Sequence, residues 1–193
     1  MRKPAGVVLF PGAGSSADHS SLVALEKALA PIPVRRVDFP YRRAGRKVPD
    51  RAPVLLACVR EEVRAFATEL GVPTSRLVIG GRSMGGRMCS MAVAATEDPL
   101  KVAGLVLVSY PLHPPAKPEK KRTEHLPGIT VPVLCVSGSM DTFGTPVELR
   151  RAFRRVPAEV TWNLIEGKGH DLKNADDEIV VAVRTWLGLR PRG

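Results

Sequence analysis

The chain is poor in cysteine, in aromatic residues and in long apolar runs, and each shortage removes a class of protein. Its three cysteines, Cys58, Cys89 and Cys135, are odd in number, widely spaced and set among apolar residues. That pattern excludes a disulfide framework and a zinc knuckle, and reads as buried thiols in a reducing compartment. Aromatic residues make up only 5% of the 193 positions, and none interleave with the basic clusters as platforms on which bases could stack. The longest apolar stretch, around residues 102–108, falls far short of the roughly 20 residues that a membrane-spanning helix needs. Met1, Arg2 and Lys3 followed by apolar residues 7–10 imitate a secretory signal, but the apolar part is shorter than the usual run of about 7 to 15. A first strand and a cytoplasmic location are expected instead. There is no internal repeat and no long linker, so one domain over residues 1–193 is expected, in keeping with the length.

Charge is what the chain has in excess. Lys and Arg number 29 against 19 Asp and Glu, for a net charge of +10. The cations fall in four separate groups: Arg35 with Arg36; Arg42 and Arg43 with Arg46 and Lys47; Lys117 with Lys120, Lys121 and Arg122; and Arg150 and Arg151 with Arg154 and Arg155. Dispersed in this way, and without a recognisable nucleic-acid module, they read as a solvated basic surface. Neither nucleic acid nor a membrane is expected as a partner.

Short runs of Val, Ile and Leu alternate with helical patterns, the mark of a parallel sheet covered on both faces. Strands are predicted near residues 6–10, 34–39, 76–80, 102–109, 131–137 and 160–165, and helices near 21–30, 53–70, 84–96, 145–155 and 176–187. Within 53–70, Leu55, Val59, Phe66 and Leu70 recur at near-helical spacing, and Gly71 and Pro73 stop the run. Residues 111–128 break the rhythm, with four prolines from Pro111 to Pro118 and then a basic run in which 120–126 suits a short helix. Such an excursion is either a plain surface loop or the roof of a pocket.

Gly81-Arg82-Ser83-Met84-Gly85 matches G-x-S-x-G between an apolar strand and a helix-compatible run of small residues. Glycines two places either side of the serine suit a turn so sharp that side chains there would collide, and the turn lifts the hydroxyl out at the carboxyl end of the sheet. A serine hydroxyl needs a base and an orienting acid. In the order Ser, Asp, His, the loop after the fifth strand supplies Asp141 and the loop after the sixth supplies His170. Asp141 has an alternative as the cap of the helix near Thr145, and Asp171 and Glu166 are rival acids. His19, His113 and His125 suit surface or pocket-lining roles. Donors for a developing oxyanion are expected at the amides of Met84 and Ala13, and Gly12, Phe39, Tyr41, His113 and Phe143 are candidate pocket-lining residues. The Gly12-Ala13-Gly14 turn lacks the Gly-Lys-Ser/Thr ending of a P-loop, and Ala17 replaces the last glycine of G-x-G-x-x-G. No metal and no organic cofactor are implied.

Five segments carry a family resemblance: Asp38-Phe39-Pro40-Tyr41, Gly80-Gly81-Arg82-Ser83-Met84-Gly85-Gly86-Arg87, Tyr110-Pro111-Leu112-His113-Pro114-Pro115, Arg122-Thr123-Glu124-His125-Leu126 and Gly138-Ser139-Met140-Asp141-Thr142-Phe143-Gly144. With them the chain resembles the small α/β-hydrolases related to dienelactone hydrolase, in the branch containing the testis-expressed protein and the non-specific-lethal complex subunit. The resemblance implies an α/β-hydrolase fold with a minimal six-stranded parallel sheet, helices on both faces, and Ser83, Asp141 and His170 in the catalytic places. It departs from the family at two points. Dienelactone hydrolases proper use a cysteine where this chain has Ser83, so their lactone is not carried over, and Pro11-Gly12 stands where many relatives have His-Gly. The expected function is a serine hydrolase acting on small-molecule esters or thioesters. The rival is an interaction scaffold that keeps the fold without useful turnover.

Overall fold

Successive side chains of a strand point to opposite faces, and here each face is dressed for burial. Val7 and Leu9 of β1 (Gly6–Phe10) join one apolar cluster, while Val8 and Phe10 join the other. A computed structural model describes residues 3–189; Met1 and Arg2 of the signal-like stretch lie outside them. In it β1, β2 (Val34–Arg36), β3 (Leu77–Arg82), β4 (Gly104–Val108), β5 (Val133–Gly138) and β6 (Val160–Ile165) form one parallel sheet in the order 2-1-3-4-5-6. The register aligns Val8, Ile79, Leu105, Val133 and Val160 in a continuous apolar row.

Helices cover both faces, as expected for a parallel sheet whose strands are apolar on both sides. On one face α1 (Ser20–Leu29) packs Leu22, Leu25 and Leu29 beside Ile179 and Val183 of the C-terminal helix α6 (Asp176–Trp186). On the other lie α3 (Ala52–Glu69), α4 (Met84–Val93) and α5 (Pro146–Phe153). A four-residue helix, α2 (Pro40–Arg43), follows the second strand. Three buried cysteines contribute to the larger cluster, and burial pushes the Cys58 thiol up to about 11 and raises Cys89 and Cys135 further. No helix among the described residues is long and apolar enough to cross a membrane.

Four expectations shift. The second strand ends at Arg36 rather than residue 39, because the Asp38 carboxylate turns back to accept the Ala17 amide at 2.8 Å and Pro40 then opens α2. The third strand runs on to Arg82, two residues past its expected end, and so delivers Ser83 at the strand's very tip. The fourth helix ends at Val93, short of residue 96. Finally, the basic half of the 111–128 excursion makes only a short 3₁₀ turn, Leu126–Gly128, and not a helix over 120–126.

That excursion is tied down. The Tyr110 hydroxyl donates to the Arg122 carbonyl at 2.7 Å, the Arg122 amide donates to Leu112 at 2.8 Å, and the Arg122 guanidinium donates to Pro111 at 3.1 Å. Leu112 and Leu126 are fully buried beneath it. His125 reaches the Ser90 hydroxyl on α4 with Nε2 at 2.8 Å. Elsewhere, part of the basic surface is neutralised: Arg35 pairs with Glu69, Arg36 with Asp18 and Glu26, Arg43 with Glu62, and Arg46 with Asp50. Exposed pairs of this kind add little stability.

His125 makes stability depend on pH. Burial, and then the Arg87 charge, lower its pKa from 6.5 to about 4, while Glu124 opposes them. The unfolded chain therefore takes up the proton first, so stability is complete above about pH 6.5 and falls as the pH drops toward 4. At about 1.4 kcal/mol per unit, the loss amounts to at most ~3.5 kcal/mol. Urea unfolding at pH 7 and pH 4.5 should show a smaller loss in His125→Gln than in the wild type; equal losses would remove His125 as the cause.

Candidate active site

The strand order reverses at β1: one connection leads outward to β2 and the next crosses back to β3. In open parallel sheets such a switch point leaves a crevice beyond the carboxyl ends of the strands. The loop after β1 and the turn after β3 both open into it. Ser83 forms that turn with φ +46° and ψ −114°, a strained backbone for a non-glycine residue. The flanking glycines are required by one neighbour. A Cβ on Gly81 would lie 1.9 Å from the Phe10 carbonyl oxygen, and one on Gly85 would lie 2.3 Å from the same atom. The Ser83 amide donates to Val108 at 2.8 Å and fixes the turn to β4 as well.

His170, in the loop after β6, brings Nε2 to 2.9 Å from Ser83 Oγ. Its Nδ1 lies 3.0 and 2.9 Å from the two carboxylate oxygens of Asp141, which follows β5 and is 1% exposed. The carboxylate can only accept there, so Nδ1 carries the proton and Nε2 is left as acceptor for the serine hydroxyl. Asp141 also accepts the Phe143 amide at 2.8 Å, and the Phe143 ring stacks on the His170 imidazole at 4.0 Å between centroids. The rival acids are elsewhere: Glu166 and Asp171 are exposed. The cap of α5 is Thr145, which shares a reciprocal pair of bonds with Glu148, so Asp141 is not spent as a cap.

Ala13 and Met84 border the crevice beside Ser83, and neither amide has an acceptor among the described residues. The Tyr41 hydroxyl donates to the Ala13 carbonyl at 2.7 Å and so holds the β1 turn in place from behind. Of the expected pocket residues, Gly12 and Phe143 line the clefts that hold Ser83. Phe39, Tyr41 and His113 do not. Phe39 and Tyr41 are fully buried with stacked rings, and His113 is 4% exposed, with Nδ1 at 3.0 Å from the Pro114 carbonyl. The rings of Phe39 and Tyr41 went into the core rather than into the crevice wall.

Over residues 3–180 the sequence matches the family described as alpha/beta hydrolase domain. The chain belongs to that family. Among solved structures, this hydrolase domain is similar to Est1E from Butyrivibrio proteoclasticus, with 18% identity over 97% of this chain and 88% of that one and a TM-score of 0.73. It is likewise similar to dienelactone hydrolase from Anabaena variabilis, with 18% identity over 97% and 88% of the two chains and a TM-score of 0.72. A third neighbour is a thermophilic esterase, Est2, from Thermogutta terrifontis with propionate bound, at 18% identity over 100% and 87% and a TM-score of 0.71. Identities this low establish the shared fold.

Arg82 is the residue the sequence reading passed over. It occupies a variable place in the elbow motif, yet it is 7% exposed and donates to the carbonyls of Asp171 at 2.7 Å and His170 at 3.3 Å. It also bonds the ring of His19, the cap of α1, whose pKa burial and then the Arg82 charge hold down. Arg82 thus ties the His170 loop and α1 to the end of β3. A charged residue between a strand end and a sharp turn was the available signal, since it has no room to reach open solvent. Arg82→Met leaves two carbonyls without a charged donor and should lower stability by about 2–4 kcal/mol in urea unfolding, with Arg82→Lys recovering part of it. A change under about 0.5 kcal/mol would show that the tether carries no load.

Proposed function

We propose that this hydrolase domain is a serine hydrolase that cleaves small carboxylic esters or thioesters through an acyl-enzyme. The observation that supports it most is the hydrogen-bonded chain from Ser83 Oγ through His170 to the buried Asp141 carboxylate. Ser83 Oγ attacks the substrate carbonyl as its proton passes to His170 Nε2, and the carbonyl π pair moves onto oxygen. The amides of Ala13 and Met84 receive that oxyanion. Collapse expels the alkoxide or thiolate, which takes the proton from the imidazolium, and the acyl group remains on Ser83. Water then repeats the sequence, giving its proton to His170 and releasing the acid with Ser83 restored. Asp141 holds the tautomer throughout and stabilises the imidazolium.

The Tyr110-Pro111-Leu112-His113-Pro114-Pro115 stretch supports placement in the branch with the testis-expressed protein. Three buried free thiols support a reducing, cytoplasmic setting. Serine in the nucleophile's place argues against transferring the lactone chemistry that the name dienelactone hydrolase denotes.

A fluorophosphonate probe should label the wild type covalently and leave Ser83→Ala unlabelled; a folded wild type that is not labelled would favour the scaffold reading. In turnover of a chromogenic ester, Ser83→Ala and His170→Ala should each cost on the order of 10⁴-fold or more, and the double variant little beyond either, because the residues act as a unit. Asp141→Asn should cost orders of magnitude with the fold intact. Additive losses, or normal turnover by Asp141→Asn, would overturn these assignments.

Acyl size gives a second test. The cleft beside Ser83 that excludes His170 encloses about 240 Å³, and its roof is Pro111 and Arg122 rather than a lid of large apolar side chains. Each buried methylene contributes ~0.8 kcal/mol where an apolar channel exists, so a long-chain lipase gains steeply with acyl length. Here acetate or butyrate esters should exceed decanoate esters in kcat/KM. A profile that rises through eight or more acyl carbons, below micelle-forming concentrations, would mean that a deep apolar channel is present.

A further inference from the structure

Ser83 stands between two clefts. The larger, about 440 Å³, runs past His170, Asp171 and the Gly12–Ser15 turn. A departing alkoxide or thiolate must meet His170 Nε2, so on the serine-hydrolase reading the leaving group occupies this side. The acyl chain is then directed into the smaller cleft, about 240 Å³, bounded by Met84, Pro111, Phe143 and two cations, Arg87 and Arg122.

These two arginines are not paired for structural ends. Arg87 lies one helical turn past Ser83, to whose carbonyl its amide donates at 3.0 Å, and its Nε is buried without a partner. Its guanidinium forms no hydrogen bond or ion pair with any of the described residues. Among the described residues the Arg122 guanidinium donates only to the Pro111 carbonyl, which leaves its charge without an acidic partner. The site's buried acid, Asp141, is committed to His170 and to the Phe143 amide. Burial, and then the Arg87 charge, press the Arg122 pKa down. Two like charges held in a half-dry cleft are costly unless an anion joins them, and planar guanidinium forks match the paired oxygens of a carboxylate, the anion that a short acyl chain can carry at its far end.

We propose that Arg87 and Arg122 form a carboxylate-binding subsite, so that the preferred substrates are half-esters or half-thioesters of short dicarboxylic acids. The acyl carbonyl meets Ser83 while the free carboxylate at the far end of the chain lies between the two guanidiniums. This rests on the serine-hydrolase reading and names its substrate class.

Monomethyl glutarate and methyl butyrate, followed by titration of the acid released, test it. The wild type should favour the half-ester by about 10- to 100-fold in kcat/KM, mostly through KM. Arg87→Gln and Arg122→Gln should each reduce that ratio toward one, Arg87→Lys should fall between, and Lys117→Gln, an exposed cation of the same excursion, should keep it. Binding of monomethyl glutarate to Ser83→Ala, measured by calorimetry, should be lost when Arg87→Gln is added, a readout that needs no turnover. Equal kcat/KM for the two esters, or a preference that survives both Gln variants, overturns the subsite while leaving the hydrolase reading intact. Calorimetric binding without turnover or fluorophosphonate labelling overturns the hydrolase reading and keeps the subsite.

Discussion

The approach of the Phe10 carbonyl to the turn after β3 is the constraint on which the site depends. That oxygen occupies the space where Cβ atoms of both Gly81 and Gly85 would fall. Because the strand and the helix can both close onto β1 only without side chains there, the chain must reverse within a few residues, and Ser83 is left at the apex with a positive φ. The strain is held by the parallel ladder itself: Phe10 pairs with Gly81 in register, and the Ser83 amide is anchored on β4 through Val108. Relaxing it would require breaking sheet hydrogen bonds on both sides of β3. Backbone strain of roughly 1–3 kcal/mol persists only where surroundings impose it in this way.

Around that apex, loops that would otherwise drift are fixed by single buried polar bonds. Tyr41 holds the Ala13 peptide, Arg82 holds the His170 and Asp171 carbonyls, and Asp141 holds the Phe143 amide. The first two link a loop at the carboxyl end of one strand to a different element, and the third closes the loop after β5 on itself, so the β1, β5 and β6 loops are each held beside the elbow. The cost of leaving any of these buried acceptors or donors unmade exceeds the small net gain of the bond, which is why few bonds suffice for a precise geometry.

How much of this could be read from the residues follows from range. Strand identity was legible because a parallel sheet buried on both faces needs uninterrupted Val, Leu and Ile, a purely local pattern. The second strand was overextended because Val37 and Phe39 look like strand residues, while the bond that pulls the chain away, Ala17 to Asp38, joins positions far apart in sequence. The helix at Pro40–Arg43 is too short to show a period. Ser83, Asp141 and His170 were singled out by their order and their places after strands, which are local properties too. Arg87 and Arg122 carry no such mark, since arginine on a chain with a net charge of +10 reads as surface until burial is known. Phe39 and Tyr41 show the converse: aromatic residues near the expected site, taken by the core.

The two kinds of charge in the crevice have different consequences for rate. On the proposed serine-hydrolase reading an oxyanion exists only once Ser83 has attacked, so amides at Ala13 and Met84 would act on the transition state alone and raise kcat. A carboxylate at the tail of an acyl chain is present before, during and after the attack, so cations that hold it act equally on ground and transition states. Such binding lowers KM and separates one substrate from another without making the chemistry faster. On the proposed reading, the elbow and its histidine supply the reaction, and the arginines under the 111–128 roof supply the choice of acid. That division explains why the elbow is built from obligatory glycines and sheet bonds, whereas the arginines project from a first helical turn and a loop, places where residues can change without disturbing the strained backbone at Ser83.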